Sequence, residues 1–219
     1  SRPSEEFPAS PKQKKSKAIS ISGMVLKNII ESTSFAVSQD ELKPSLTGVL
    51  FKFSEKGFTA VATDGHRLVK HSRSDFSTES FNGEVIVPKK FLSYLNTQLS
   101  DEKITLIMGE NFLTAQLKND IAITKIIEEK FPDYNSVIPK DNNKSFTVDK
   151  NTLLGSIRRV SIFSNKSTHQ VALTLTKEDS FITTEDPEKS SKAKETIVGQ
   201  YEGENITIGY NAEYLKDVV

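Results

Sequence analysis

Apolar residues recur along the chain in an order that predicts the same set of elements more than once. A short β-branched run, "AISIS", comes first, and a helix is predicted from Gly23 to about Val37 with Ser22 as its cap. The apolar face of this helix consists of Leu26, Ile29 and Ile30. Three further runs lie between turn residues, namely "LTGVLFKF", "GFTAVATD" and "HRLVKHS". The pattern therefore predicts one strand, one helix and three strands.

The same order then repeats. A second copy contains "EVIV", a helix opened by Pro88 and running to about Leu99, and the strands "KITLIM", "FLTAQL" and "IAITKII". A third contains "SFTV", a helix capped by Asp149, and the strands "QVALTLT", "SFITTED" and "KETIVGQY". A fourth begins with "NITIG" and a helix starting at Asn211. The helix starts are separated by about 60 residues, which indicates copies of one βαβββ unit.

Composition excludes several classes of chemistry. The 29 basic and 29 acidic residues balance, so any nucleic acid or membrane partner must be bound by local charge. Cysteine is absent, which rules out disulfides and thiolate sites, and a zinc site could use only the three histidines and carboxylates. Apolar runs are shorter than the roughly 20 residues of a membrane helix, and a signal peptide is not visible. The chain is expected to be cytoplasmic.

Charged residues cluster in two ways. The polar, proline-rich start "SRPSEEFPASPKQKKSK" is typical of a linker, and its lysines are interpreted as a solvated tether. Further cations lie on the predicted helices and would form a stripe if the helices share a face: Lys27, Lys89, Lys90, Arg158 and Arg159. Such a stripe would bind phosphates without reading bases, although ordinary solvent-exposed cations explain it equally well.

The stretch "VATDGHRLVK" at 61–70 has the composition of a small reactive site. A phosphohydrolase using Asp64, His66 and Arg67 is one hypothesis. These residues lie in a turn between two predicted strands, which presents side chains on a surface rather than in a closed pocket. A phosphate cradle would need a helix N-terminus, and a hydrolase would need a nucleophile beside its base. Catalysis at this turn is therefore the weaker hypothesis.

Five motifs together resemble one family. "KPSLTGVLF", "ATDGHRL", "VIVPKKF", "FPDY" and "IGYNAEYLKDVV" occur in the order and spacing of the beta sliding clamps, the processivity factors of bacterial replicative DNA polymerases. The resemblance implies an α+β fold, the DNA clamp fold, in which repeated βαβββ units place helices on one face and antiparallel sheets on the other. By this resemblance, residues 1–16 end a first clamp domain, 17–139 form a complete middle domain, and 140–219 form a C-terminally incomplete third domain.

The resemblance also implies a function. In this family two chains form a homodimeric ring around duplex DNA and tether the polymerase without catalysing a reaction, so neither a cofactor nor a metal is expected. DNA contact is sequence-independent and would involve Lys43, Lys89 and Lys90. DNA polymerase, the clamp loader and repair proteins are expected to bind through short linear peptides. A cytoplasmic, nucleoid-associated protein with no membrane partner follows, and this chain alone is not expected to close a ring.

The resemblance assigns the turn at 61–70 to a peptide-binding pocket. The implied pocket residues are Leu46, Thr63, Gly65, His66, Arg67, Leu68, Pro132 and Val137, extended by Asn211 and Tyr214. Gly65 would leave room for the peptide backbone, while His66 and Arg67 would hold polar peptide groups and the pocket wall. Ser136 replaces an arginine common in the family, and the family's C-terminal pocket residues are absent. Besides the hydrolase, an adaptor built of repeats that never meets DNA remains an alternative.

Overall fold

The computed structural model describes residues 16–76, 78 and 80–219. Residues 1–15 of the predicted linker, with most of its basic cluster, lie outside the described residues, and its last residue, Lys17, begins the first strand instead. The chain forms two compact units, which divide between Tyr134 and Asn135 and are described separately. In the described part of the chain, no helix is long and apolar enough to cross a membrane.

The first unit contains two successive βαβββ sets. The first set comprises β1 (Lys17–Ser22), α1 (Gly23–Thr33), β2 (Gly48–Ser54), β3 (Gly57–Thr63) and β4 (Leu68–Arg73). The second set comprises β5 (Gly83–Pro88), α2 (Lys89–Gln98), β6 (Lys103–Met108), β7 (Phe112–Gln116) and β8 (Ile121–Lys125). The repeated order predicted from the apolar pattern is confirmed.

The two sets exchange their first strands. Among the described residues, the antiparallel sheets have the strand orders β1-β6-β7-β8 and β4-β3-β2-β5. Strand β1 pairs with β6 of the other set, with Lys17 opposite Met108. Strand β5 pairs with β2 of the other set, with Gly48 opposite Pro88. Each sheet is therefore completed only when both sets are present.

One core lies between these sheets and the two helices. Alternate residues of β2, namely Val49, Phe51 and Phe53, enter this core, as the period-2 geometry of a strand requires. The Phe51 and Phe58 rings meet edge to face at 5.2 Å, and the Phe53 and Phe58 ring centroids are 4.7 Å apart. Both helices contribute their apolar faces, including Leu26 of α1. We call Phe51, Phe53 and Phe58 the aromatic cluster. These rings of the β2–β3 hairpin lie in the same core as the apolar faces of both helices.

The second unit begins a further copy of the same pattern. Its elements are β9 (Ser145–Val148), α3 (Lys150–Ser161), β10 (Gln170–Leu175), β11 (Ser180–Asp186), β12 (Ser191–Thr196), β13 (Gly199–Glu202), β14 (Ile206–Asn211) and α4 (Ala212–Val218). The described strands pair in the orders β12-β11-β10-β14 and β13-β9. Strand β14, which opens the next copy, pairs with β10, so strand exchange recurs here. The core of this unit includes Ile157, Val171 and Ile182.

Several predicted boundaries were wrong. Helix α1 ends at Thr33 rather than near Val37, and a 3-10 turn follows at Ser34–Ala36. Three consecutive hydroxyls explain this end, because Ser32 and Thr33 donate to the Ile29 carbonyl and Ser34 donates to the Ile30 carbonyl. Side-chain bonds of this kind compete with the helical pattern.

The residues that precede the helices differ in whether their side chains cap the helix. Ser22 occupies the cap position of α1, but within the described residues its side chain bonds to no helical N–H. Pro88 ends β5 and precedes α2, instead of forming its first turn. Asp149 caps α3 as predicted, and its carboxylate accepts from the Thr152 N–H at 2.8 Å. The run "KETIVGQY", predicted as one strand, is divided between β12 and β13.

Truncation of the aromatic cluster should destabilise the first unit. Phe53 is 1% exposed, so we expect Phe53→Ala to lower the free energy of unfolding by about 3–5 kcal/mol through lost burial and a cavity. Ile121→Ala is the control, since Ile121 is 67% exposed, and its effect should stay within about 0.5 kcal/mol. Urea titrations followed by circular dichroism measure both. Equal losses would contradict the proposed role of the cluster.

Candidate functional site

The turn between β3 and β4 is held by its own side chains. The Thr63 hydroxyl donates to the Arg67 carbonyl at 2.7 Å and accepts from the Gly65 N–H at 3.1 Å. Gly65 has φ of +91°, a conformation that side-chain-bearing residues rarely adopt. These contacts fix a tight corner at which His66 is exposed and Leu68 begins the next strand.

The Asp64 carboxylate is engaged within the same turn. Its Oδ1 accepts from the N–H groups of His66 and Arg67, both at 3.0 Å, and its Oδ2 accepts from Arg67 Nε at 3.0 Å. Partial burial raises the pKa of Asp64, but these hydrogen bonds and the positive charge of Arg67 outweigh it, so the pKa lies below its usual value. Asp64 is thus an ionised acceptor committed to the turn. This use of the carboxylate argues against Asp64 as the base of the hypothetical hydrolase.

Arg67 connects the turn to helix α1. Its Nη2 donates to the Phe35 carbonyl at 2.9 Å, and its guanidinium carbon lies 5.5 Å from the centre of the Phe35 ring. The side chains of Arg67 and Asp64 are only 16% and 14% exposed. Arg67 is therefore directed into the protein, toward the segment that follows α1.

A second apolar cluster lies on the other face of the β4-β3-β2-β5 sheet, and we call it the outer cluster. Its buried members are Leu50, Val61, Ile86 and Phe131, and its half-buried members are Leu46, Leu68, Ile127 and Tyr134. Leu50 and Val61 alternate with the core residues of their strands, which places them on the opposite face. The sheet is thus apolar on both faces.

The segment after β8 covers part of this face. The Ile127 N–H donates to the Ile86 carbonyl at 3.0 Å, which brings the following residues back over β5. The Phe131 and Tyr134 rings meet edge to face at 6.4 Å, and the Lys70 ammonium lies 5.6 Å from the centre of the Tyr134 ring. Leu46 and Leu68 remain half-buried, so apolar surface stays accessible at the rim of the cluster.

The first unit brings together several of the residues assigned to the pocket. Leu46 and Leu68 both belong to the outer cluster, and Leu68 directly follows the turn that contains Thr63, Gly65, His66 and Arg67. Pro132 is exposed and adjoins the cluster residue Phe131.

The remaining pocket residues lie in the second unit. Val137 is 66% exposed. The Asn211 Oδ1 caps α4 by accepting from the N–H groups of Glu213 at 2.9 Å and Tyr214 at 3.4 Å. Asn211 therefore has a structural role in its own unit, and Tyr214 is half-buried in the first turn of α4.

The candidate DNA-binding lysines lie near one another in the first unit. Lys43 precedes the short 3-10 turn Pro44–Leu46, and Lys89 and Lys90 begin α2. The Lys89 N–H donates to the Thr47 carbonyl at 3.3 Å, which joins the start of α2 to that turn. Lys89 and Lys90 also line an open groove against this loop. In the second unit Arg159 instead pairs with Glu195 of β12, where its Nε donates at 3.0 Å.

The sequence alone did not identify the buried residues of the outer cluster. It also did not identify the hydrogen bond from Arg67 to the Phe35 carbonyl. The continuous run Val49–Phe51 was the available signal, because a strand that is apolar at successive positions is buried on both faces. The contact from Arg67 to a carbonyl 32 residues earlier left no signal in the local pattern. Within the described residues, acidic and histidine side chains form no group of three or more that could hold a metal.

The conformation of Gly65 gives a direct test of the turn. Among the described atoms, none outside its chain neighbours lies within 4 Å of a Cβ added at Gly65, so only the φ of +91° opposes a side chain. We expect Gly65→Ala to lower the free energy of unfolding by about 1–2 kcal/mol. Gly65→Asn should cost less, because asparagine tolerates positive φ. Urea titration of both variants measures this, and equal losses would exclude backbone conformation as the cause.

Comparisons with known proteins match both units. The family model of the DNA polymerase III beta subunit central domain matches residues 20–133, and that of its C-terminal domain matches residues 135–219. Beta sliding clamps of Pseudomonas putida KT2440 and Chlamydia pneumoniae are 32% and 30% identical to this chain. The alignments cover 99% and 98% of this chain and 59% of each relative. The chain thus spans about three fifths of the length of these relatives.

Solved structures of sliding clamps also match this chain. The crystal structure of the Pseudomonas aeruginosa sliding clamp bound to griselimycin has a TM-score of 0.93 at 30% identity, covering 99% of this chain and 59% of that one. The Bacillus subtilis sliding clamp has a TM-score of 0.91 at 31% identity, covering 98% of this chain and 57% of that one. With both units matched in sequence and structure, this chain belongs to the DNA polymerase III beta subunit family and has the sliding clamp fold.

Proposed function

We propose that this chain is part of a sliding clamp that encircles duplex DNA and tethers the replicative polymerase and other proteins, which increases processivity. A tether of this kind acts by raising the effective concentration of the polymerase at the primer end. Family membership supports the general function. The observation that carries the docking role is the outer cluster, whose accessible leucines adjoin the glycine turn.

The proposed ligands of the outer cluster are short linear peptides with apolar anchors. Burial of one leucine or phenylalanine anchor contributes about 1.5–3 kcal/mol, so two anchors and a few hydrogen bonds give weak binding that allows partners to exchange. Leu46 and Leu68 are the proposed contacts for these anchors, with Pro132 beside them. Contributions from Val137, Asn211 and Tyr214 of the second unit remain predictions.

DNA would be bound by local rather than net charge. The chain has a formal net charge of zero, so a general electrostatic attraction to DNA is lacking. Lys43, Lys89 and Lys90 supply positive charge at one joined region of the first unit. We propose that they contact backbone phosphates, which would leave the clamp indifferent to sequence.

The second unit offers a surface for ring closure. Ile162 and Phe163 are 67% and 46% exposed at the end of α3, and the Ser191 hydroxyl of β12 donates to the Phe163 carbonyl at 3.1 Å. We propose that these residues and the adjacent edge of β12 contribute to the homodimer of the whole protein. In this proposal residues 17–139 form the middle domain, 140–219 form part of the third, and the ring is a non-catalytic protein of the nucleoid in the cytoplasm.

Peptide titration tests the docking role. A fluorescein-labelled Gln-Leu-Asp-Leu-Phe peptide should bind the chain, and Leu68→Ala should weaken binding by about tenfold or more because an anchor loses its apolar contact. Leu42→Ala is the control, since Leu42 is 91% exposed and lies outside the outer cluster. Fluorescence polarisation measures both. Unchanged binding in Leu68→Ala, His66→Ala and Leu46→Ala would refute the site.

Salt dependence tests the DNA role. Replacing Lys43, Lys89 and Lys90 with glutamine should flatten the plot of log K against log salt for a duplex by about 0.9 per lost phosphate contact. A matched triple variant at the exposed lysines Lys52, Lys56 and Lys177 should leave the slope unchanged. Fluorescence anisotropy at several salt concentrations measures the slopes. If both variants reduced the slope equally, the three lysines would have no special role.

A further inference from the structure

We propose that Arg67 is a positioning residue of the docking surface, which anchors the glycine turn to the 3-10 turn Ser34–Ala36 after helix α1 instead of binding the peptide. This inference rests on the proposed peptide docking. The family resemblance implies that Arg67 holds both polar peptide groups and the pocket wall, and we assign it only the second of these roles, through the turn. The two roles predict different behaviour in the protein without peptide.

The geometry of the guanidinium supports an inward role. Nε donates to Asp64 within the turn, and Nη2 donates to the Phe35 carbonyl outside it, at 3.0 and 2.9 Å. The same group lies against the Phe35 ring, and the side chain is 16% exposed. One side chain therefore joins the turn to a segment 32 residues earlier in the chain. Both of these donors are therefore occupied within the protein.

The Phe35 carbonyl is a site where a cation is favourable. The last carbonyls of a helix lack intrahelical donors, and the helix dipole attracts positive charge to this end. In the described last turn of α1 no residue is basic. Phe35 itself lies in the 3-10 turn Ser34–Ala36 that follows α1, and Arg67 supplies this segment with a cation from a different element.

This connection matters for docking because the turn is otherwise held mainly by local bonds. Thr63 and Asp64 bond within the turn, and among the described strands β4 pairs only with β3. The hydrogen bond between Ser32 of α1 and His71 of β4, at 2.8 Å, fixes the strand further along. Arg67 fixes its beginning, where Leu68 enters the outer cluster. A turn preorganised in this way avoids an ordering cost when the peptide binds.

Hydrogen exchange of the free chain is the first test. Arg67→Gln should raise amide exchange at Gly65, His66 and Leu68 by about tenfold without peptide, and Arg67→Lys should do so by less. Arg73→Gln is the control, because Arg73 ends β4, the strand that follows Arg67, and pairs with Asp75 outside the turn. The exchange rates of the turn in this control should match the original chain. Wild-type exchange rates in Arg67→Gln would overturn the proposal.

Binding kinetics provide the second test. Arg67→Gln should slow association of the Gln-Leu-Asp-Leu-Phe peptide more than it speeds dissociation, because a smaller fraction of molecules has the turn in place. The loss of affinity should be the same, within about twofold, for an Ala-Leu-Asp-Leu-Phe peptide. If Arg67→Gln caused no loss of affinity for the alanine peptide, Arg67 would contact the glutamine of the first peptide directly. That result would overturn the proposal. If neither peptide binds the original chain, the docking function fails, while hydrogen exchange still decides the anchoring role.

Discussion

The exchange of first strands between successive βαβββ sets is the constraint on which the first unit depends. Strand β1 completes the sheet of β6, β7 and β8, and β5 completes the sheet of β2, β3 and β4. A set that folded alone would leave an unpaired edge on its three closing strands and lack a partner for its own first strand. Pairing the sets satisfies both requirements and encloses one core between two sheets and two helices.

That arrangement also explains why a docking surface is possible on a small unit. The core occupies the helix-facing side of the β4-β3-β2-β5 sheet, with Phe51 and Phe53 among its buried rings. The sheet is consequently packed on one side independently of its other side. The outer cluster can then expose half-buried residues such as Leu46 and Leu68 without weakening the core that supports them. Accessible apolar surface of this kind is characteristic of an interaction site.

The sequence was informative where the physical cause is local. Periodic apolar residues predicted the repeated order of elements, and Asp149 was identified as a cap because a cap contacts residues only two or three positions away. The end of α1 was misplaced because three consecutive hydroxyls bond back to the carbonyls of its last turn, an effect that apolar spacing does not record. The exchange of strands, the Arg67–Phe35 contact and the return of Phe131 over the sheet join residues distant in the chain. Contacts of this kind are seen only in the folded structure.

The turn at 61–70 shows why reactive-looking composition is a poor guide to catalysis. Thr63, Asp64 and Arg67 have the functional groups of a hydrolytic site, yet each directs them to the backbone or to one another. A corner with glycine at positive φ needs such bonds to remain in one conformation. A carboxylate that accepts three hydrogen bonds with a lowered pKa is a weak proton acceptor, whereas a general base needs a pKa near the working pH. The polar residues that suggested chemistry are therefore those that hold the turn beside the outer cluster in one conformation.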